Sequence, residues 1–191
     1  MLVVSFYTPD YFGHAKRLTA SCKRLGYRYW IEPVESSGSW VKNCSTKSAF
    51  ILSALISTGK SVLWLDADAE IKRPLDYIED LQKDTDFAIW HSKRGSPKLR
   101  FRSGTVFLNY TPAALDLAME WTRRCEENEE MWDQECLFRA WHNRDFEIRT
   151  EFLPQTYCQV FDEDGVADPH IVHHQASREV KKKEKANARR R

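Results

Sequence analysis

The sequence predicts an α/β fold, a sandwich with a central, mostly parallel sheet and helices on both faces. Over residues 2–66, apolar runs rich in β-branched and aromatic residues alternate with segments of helical periodicity, in the order β, α, β, α, β. The apolar runs are continuous, which is typical of strands covered on both faces. Such alternation favours a parallel sheet. With 191 residues, we expect one domain over 1–176 and a flexible basic tail over 177–191.

The first strand is predicted at residues 2–8. The helix that follows has apolar residues at intervals of three and four, at Phe12, Ala15, Leu18, Cys22 and Leu25, and Gly26 stands where it would stop. A second strand is predicted at residues 27–34.

A loop is predicted at residues 35–44, followed by a second helix that ends at Gly59. Either Ser45 or Thr46 is the expected N-cap of that helix, because a hydroxyl can accept a hydrogen bond from a free backbone N–H. The sequence SVLWLD at residues 61–66 then predicts the third strand.

The second half of the chain continues the pattern. Strands are predicted at 86–91 and 103–109, and the clearest helix begins with Thr111 as N-cap and Pro112 in its first turn. We expect the remaining elements to be a helix at 133–141 and strands at 146–152 and 170–174.

Charge is distributed unevenly along the chain. The net charge is +1, but residues 181–191 contain seven basic residues and one acid, or +6, so residues 1–180 sum to 1 − 6 = −5. This pattern lacks the broad basic face of a duplex-binding domain. The tail either contacts phosphates or an anionic membrane, or is simply solvated.

The cysteines and the apolar segments bear on location. Five scattered cysteines without a CxxC pair predict reduced thiols. The N-terminus does not read as a secretory signal, and the longest mainly apolar segment is far shorter than the roughly 20 residues of a membrane span. We therefore expect a cytoplasmic protein with no transmembrane segment.

Two aspartates, Asp66 and Asp68, follow the third strand directly. In an open α/β sheet, ligands bind beyond the carboxyl ends of the strands. Two carboxylates this close repel each other unless a cation lies between them, and oxygen ligands suit Mg²⁺ or Mn²⁺ held jointly with phosphates. The alternative is a helix cap or an exposed turn.

Four segments, in this order, resemble the GT-A-type, Rossmann-like glycosyltransferases that use nucleotide-diphospho-sugars, the glycogenin-like and related groups. They are VLWLDADAEIKRPL from residue 62, FRSGTVFLNYT from residue 101, WDQECL from residue 132, and FLPQTYCQV with the later HIVHH. The chain departs from the family at Arg102, where an Asn is common, and after HIVHH, where no glycine or Pro-Trp follows.

The resemblance implies a metal site and a nucleotide site. Asp68 would bind Mn²⁺ or Mg²⁺ directly, Asp66 would contact the ion or the ribose, and either His173 or His174 would complete the site. The implied nucleotide-sugar ligands are Tyr7, Thr8, Lys47, Asp66, Gly104 and, for the diphosphate, one of Ser177, Arg178 and Lys181, with Arg178 preferred.

Most of these residues also have an ordinary structural interpretation. Tyr7 could be a core aromatic, Lys47 a solvated lysine and Gly104 a strand bulge rather than the place where the sugar approaches the backbone. Asp133 and Gln134 are the implied catalytic residues beside the reacting sugar, but an aspartate at that position could equally cap the helix.

The resemblance implies a metal-dependent glycosyltransferase of the hexosyl-transferring type. It would move a sugar from UDP to an acceptor hydroxyl of a glycan, protein, small molecule or modified DNA, with retention of configuration. Glycosylation of hydroxymethylated DNA bases is a specialised alternative; a nucleotidyltransferase and a non-catalytic nucleotide-sugar-binding protein are the others.

One further segment, residues 91–102, contains five Lys or Arg residues. It either presents cations to an acidic acceptor or is a solvated loop.

Overall fold

A central six-stranded sheet organises the protein. We describe it from a computed structural model, which covers residues 1–37, 40–128, 130–160 and 165–176. Its strands lie in the order β2-β1-β3-β6-β5-β7. They are β1 (Leu2–Tyr7), β2 (Tyr29–Pro33), β3 (Val62–Leu65), β5 (Phe87–His91), β6 (Phe101–Leu108) and β7 (Thr150–Phe152).

Strand β6 runs antiparallel to its neighbours β3 and β5, whereas the β1–β2, β1–β3 and β5–β7 pairs are parallel. The mostly parallel sheet is therefore confirmed. Because of these directions, the carboxyl ends of β1, β2, β3, β5 and β7 share one edge of the sheet with the amino end of β6. We call this edge the site edge.

Helices cover both faces of the sheet. Helices α2 (Trp40–Thr58), α4 (Pro112–Glu127) and α5 (Asp133–His142) pack on one face, and α1 (Phe12–Leu25) with the short α3 (Asp76–Asp80) packs on the other. The residues of β3 divide between the two cores: Val62 and Trp64 join the first, and Leu63 and Leu65 the second. This two-sided burial explains the continuous apolar sequence.

A second, three-stranded sheet lies beside the second core. It consists of β4 (Ala69–Ile71), β9 (Ile171–His173) and β8 (Gln159–Val160), with β9 in the middle. β4 follows β3 after a short turn and was not predicted from the sequence. Its pairing with β9 brings residue 173 opposite residue 69, close to the two aspartates.

Several predicted boundaries are confirmed. Gly26 and Gly59 have φ of 76° and 61°, a left-handed conformation that a helix C-terminus commonly requires and that glycine adopts without strain. The Thr111 hydroxyl accepts a 3.3 Å hydrogen bond from the Ala114 N–H, as an N-cap does.

Two predicted boundaries are wrong. Helix α2 begins at Trp40 rather than at Ser45 or Thr46. The hydroxyls of these two residues bond back to the carbonyls of Val41 and Asn43, as side chains inside a helix do.

The strand predicted at 146–152 is limited to β7, residues 150–152. Before it, the Arg149 carbonyl accepts the N–H of Asp86 and Phe87, and the Arg149 N–H donates to the Asp86 carboxylate. The backbone there is bonded outside the strand ladder.

Candidate functional site

A pocket opens at the site edge, beyond the carboxyl ends of β1 and β3. Phe6, Tyr7 and Thr8 line it from the end of β1, and Trp64, Asp66, Ala67 and Asp68 line it from the end of β3. Asn43, Cys44 and Lys47 close it from α2. This is where an open α/β sheet presents ligand-binding residues.

A tight turn directs the two aspartates toward one place. The Asp66 N–H donates to the Gly104 carbonyl at 2.9 Å, so β3 stays paired with β6 one residue beyond the strand. The Asp66 carbonyl then accepts the Ala69 N–H at 2.8 Å, and the chain turns into β4. Asp68 lies inside this turn.

Two neighbours hold one oxygen of the Asp66 carboxylate. Oδ1 accepts a hydrogen bond from the Trp64 indole Nε1 at 2.8 Å and forms an ion pair with Lys47 Nζ at 2.9 Å. Oδ2 lies 3.4 Å from the position that a Cβ on residue 104 would occupy. Oδ1 is thus engaged by the protein, and Oδ2 is the oxygen beside Gly104.

Asp68 and His173 meet across the turn. Asp68 Oδ2 accepts the Ala176 N–H at 2.8 Å, and Oδ1 lies 3.7 Å from His173 Nδ1. His173 Nε2 lies 2.8 Å from the Thr105 hydroxyl oxygen. With Nε2–H donating to Thr105, Nδ1 faces the carboxylates, and such a partner orients a metal-binding histidine.

In the absence of a metal ion, a proton on the His173 imidazole balances the charge of the Asp68 carboxylate. Burial alone would raise the pKa of Asp68, but the nearby His173 imidazole and the hydrogen bond from the Ala176 N–H lower it. Burial alone would lower the pKa of His173, yet the Cys158 sulfur and the Asp68 carboxylate raise it to about 10. A bound divalent ion would take the place of that proton.

Asp66, Asp68 and His173 fit a divalent metal ion. Each offers one ligand atom, and the three atoms lie within 4.8 Å of one another. Ligand distances of about 2.1 Å place opposite ligands about 4.2 Å apart, so small side-chain shifts close the group on an ion. Two carboxylates and one imidazole suit Mn²⁺ well and Mg²⁺ less well.

Gly104 makes room for this group. A Cβ there would lie 2.9 Å from His173 Cε1 and 3.1 Å from Nδ1. Any side chain at 104 would therefore displace the imidazole. The sequence suggested that this glycine lets a sugar approach; in the structure, the space over it is taken by His173 and Asp66.

Lys47 connects the metal group to Asp133. This lysine is buried, and Nζ lies 2.9 Å from Asp66 Oδ1 and 2.9 Å from Asp133 Oδ2. Burial alone would lower the pKa of Lys47, but the Asp133 and Asp66 carboxylates raise it, so the ammonium stays charged. Ser103 donates to Asp133 Oδ2 at 2.7 Å and completes the network.

Asp133 and Gln134 begin helix α5, but Asp133 does not cap it. Trp132 occupies the N-cap position, and the buried Asp133 carboxylate bonds to Lys47 and Ser103. The Gln134 amide Nε2 donates to the Leu99 carbonyl at 3.3 Å, which ties it to the segment between β5 and β6.

The structure brings together most of the predicted site residues: Tyr7, Thr8, Lys47, Asp66, Asp68, Gly104, Asp133 and His173. His174 is not part of this group, because its Nε2 pairs with Glu70 at 3.2 Å. Ser177, Arg178 and Lys181 lie outside the described residues.

Among the residues not assigned from the sequence, Trp64, Ser103 and Thr105 hydrogen-bond to the predicted site residues Asp66, Asp133 and His173, respectively. A usable signal existed, because residues two apart on a strand share a face. Trp64 precedes Asp66 by two positions, so this rule indicates it, whereas Ser103 and Thr105 are direct neighbours of Gly104 in the chain and the rule does not indicate them.

Comparisons with known proteins agree with this geometry. The family model of the nucleotide-diphospho-sugar transferases matches residues 21–186. The chain belongs to this family. The transferase is therefore a glycosyltransferase with a GT-A-like fold. A comparison with curated protein sequences finds no match.

Solved structures of glycosyltransferases share the fold. One, involved in glycosylation of the major capsid of PBCV-1, has a TM-score of 0.73 at 17% identity, covering 96% of this chain and 98% of its own. GlyE of Streptococcus pneumoniae TIGR4 has a TM-score of 0.63 at 16% identity, and the match covers 91% of this chain. The transferase spans 54% of the GlyE chain.

No helix in the described part of the transferase is both long and apolar enough to cross a membrane.

Proposed function

We propose that the protein is a metal-dependent hexosyltransferase that moves a sugar from a UDP-sugar to an acceptor hydroxyl, with retention of configuration. The proposal rests on one observation above all. Asp66 and Asp68 line the pocket beyond the ends of β1 and β3. Their ligand atoms and that of His173 lie within 4.8 Å of one another, which is close enough to share a divalent ion.

Residues of β1 and β3 would bind the nucleotide. Tyr7 offers an aromatic face on which uracil can stack, and Thr8 offers a hydroxyl to the ribose. Asp66, Asp68 and His173 would hold Mn²⁺ or Mg²⁺ through Oδ2, Oδ1 and Nδ1. When bound, the ion would neutralise the charge that develops on the leaving diphosphate. Arg178, outside the described residues, remains a proposed further diphosphate contact.

Lys47 and Ser103 would position Asp133 beside the reacting sugar. Both bind Asp133 Oδ2, which makes the carboxylate a weak nucleophile and a well-fixed hydrogen-bond acceptor. We therefore assign Asp133 to the sugar hydroxyls and Gln134 to the neighbourhood of the anomeric carbon. Retention would follow from attack on the same face, with the donor phosphate oxygen taking the acceptor proton.

Donor turnover tests this proposal. The protein is incubated with UDP-glucose, UDP-galactose, UDP-N-acetylglucosamine or GDP-mannose and Mn²⁺, and nucleotide release is followed with and without EDTA. We expect release from at least one UDP-sugar, no release from GDP-mannose, and complete loss of release with EDTA. UDP binding without turnover of any donor would instead indicate a non-catalytic binding protein.

A further inference from the structure

The connection between β5 and β6 is strongly basic. We call residues 92–100 the basic segment; its cationic residues are Lys93, Arg94, Lys98 and Arg100. No Asp or Glu occurs anywhere from residue 87 to residue 115. Lys93, Arg94 and Lys98 are exposed.

The sheet places this segment on the site edge. It leaves the carboxyl end of β5 and enters the amino end of β6, and both ends lie at that edge. Along the edge, the nucleotide pocket lies at β1 and β3, the metal group at β3 and β6, and the basic segment at β6 and β5. The segment is therefore on the far side of the metal group from the nucleotide.

Two contacts fix the basic segment against the start of helix α5. Lys98 Nζ pairs with Glu135 Oε1 at 3.0 Å, and the Leu99 carbonyl accepts from Gln134. Asp133 and Gln134, which we place beside the reacting sugar, thus lie between the metal group and the basic segment. An acceptor must approach the sugar from this side, because the nucleotide occupies the other.

Exposed aromatic rings lie on the elements next to the basic segment. Trp132, directly before α5, is 43% exposed, and Phe152, at the end of β7, is 46% exposed. The Phe152 ring packs against His91 with 5.2 Å between centroids. Aromatic faces of this kind can stack on sugar rings or on bases.

We infer that the basic segment binds the acceptor, and that the acceptor is a short anionic carbohydrate bearing carboxylate or phosphate groups. The inference rests on the proposed function, since it gives the acceptor of that same site. Lys93 and Arg94 supply the cations, Lys98 holds the segment against α5 through Glu135, and Trp132 supplies a stacking face.

Charge elsewhere on the molecule favours a short ligand over a nucleic acid. Residues 1–180 carry a net charge of 1 − 6 = −5. The last turn of α4 and the connection from it to Trp132 carry the exposed acids Glu126, Glu127 and Glu130. A long polyanion that extended past the basic segment would meet these acids, whereas an oligosaccharide with a few charges would not.

Binding measurements without turnover test the inference. In the presence of UDP and Mn²⁺, calorimetry would compare tetragalacturonate, phosphorylated pentamannose, neutral maltotetraose and a ten-nucleotide oligothymidylate. The test variant is Lys93→Gln/Arg94→Gln, which leaves the Lys98–Glu135 ion pair in place. The matched control is Lys23→Gln/Arg28→Gln, which removes the same charge from exposed residues near the opposite edge of the sheet.

We expect the wild type to bind at least one anionic oligosaccharide at least about tenfold more tightly than maltotetraose. The test variant should lose about tenfold of that affinity and show a weaker dependence on salt, while the control variant keeps both. The two anionic sugars distinguish carboxylate from phosphate as the recognised group. UDP binding should be the same in all three proteins.

Two results would overturn the inference and leave the proposed function intact. One is equal affinity for the charged and neutral sugars in a protein that still binds UDP and Mn²⁺; the other is tightest binding of the oligothymidylate. A protein that binds neither UDP nor Mn²⁺ would overturn the proposed function itself, and the inference with it.

Discussion

Two acidic groups at opposite edges of the same sheet differ in how their oxygens are used. Asp86 lies just before β5, at the edge away from the site. Its Oδ1 accepts from Arg149 Nη2 and the Thr111 hydroxyl, and its Oδ2 accepts from the Arg149 N–H and Nε, all at 2.7–3.0 Å. At the site edge, Asp66 uses Oδ1 for Trp64 and Lys47, while Oδ2 lies beside Gly104.

The comparison separates a structural carboxylate from one that we propose to bind a metal ion. Both are paired with a cation, so charge pairing alone does not distinguish them. What differs is whether the fold uses both oxygens. At Asp86 the helix cap, the backbone and the guanidinium use both, whereas at Asp66 and Asp68 one oxygen of each lies near His173. Changes at Asp86 should therefore affect stability, and changes at Asp68 should affect ligand binding.

Lys47→Met should have the largest effect, because Lys47 is buried and pairs with both Asp66 and Asp133 at the site edge. The change leaves the buried Asp133 carboxylate without its cation, and breaking a buried pair in this way costs about 3 to 5 kcal/mol. We expect the free energy of unfolding at pH 7 to fall by that amount, measured by urea denaturation. Lys83→Met, which removes an exposed ion pair, is the control. Equal stability of the two variants would contradict the buried network.

Asp68→Asn should weaken Mn²⁺ binding on the order of 100-fold, because it removes a charged ligand atom from the proposed metal group. Electron paramagnetic resonance of free Mn²⁺ measures this directly, without turnover. Asp80→Asn removes an exposed carboxylate from α3 and should bind Mn²⁺ like the wild type. An Asp68→Asn protein with wild-type Mn²⁺ affinity would disprove the ligand assignment.

Asp86→Asn should lower the free energy of unfolding by about 2 kcal/mol at pH 7 and leave Mn²⁺ binding unchanged. Hydrogen bonds from Arg149 hold the pKa of Asp86 below its ordinary value. The stabilisation is therefore fully present above about pH 4, the unfolded value, and is lost as the pH falls through the lower folded pKa. Urea denaturation at pH 7 and pH 3 should show the difference from wild type shrinking at the acidic pH. A constant difference would argue against the ion pair as its source.

Trp64→Phe should have the smallest effect, a loss of about tenfold in Mn²⁺ affinity, because it removes only the indole N–H that fixes Asp66 Oδ1. Trp141→Phe is the matched control, since that indole donates to Thr150 at 2.9 Å, away from the metal group. Mn²⁺ titration of both variants measures the effect of losing the hydrogen bond that orients Asp66. Thermal unfolding of both variants measures the general loss of packing. If both variants bind Mn²⁺ alike, Trp64 does not orient Asp66.

Local sequence patterns predicted most of the elements. Continuous apolar runs predicted β1, β3 and β5, and Gly26, Gly59 and Thr111 marked helix ends through local backbone chemistry. The start of α2 was misplaced because the hydroxyls at 45 and 46 suit a cap and a helix interior alike. Strand β4 was missed because three residues after a turn carry too little periodicity.

The sequence also placed Asp66 and Asp68 at the end of a strand, but not their partners. His173 and His174 are adjacent in sequence and chemically identical. Only the pairing of β9 with β4 turns the first toward Asp68 and the second toward Glu70. From the sequence, Lys47 could equally have been a solvated lysine. Its burial depends on how α2 packs over β6 and the start of α5.

The sequence by itself determined the fold class, the order of the longer elements and the two aspartates that follow β3, because these follow from periodicity and from residues close together in the chain. Tertiary structure alone decided which histidine joins the aspartates, which glycine leaves room for it and which cation links Asp66 to Asp133. Those contacts join residues 19 to 107 positions apart, and their geometry is set by strand register and helix packing rather than by any local signal.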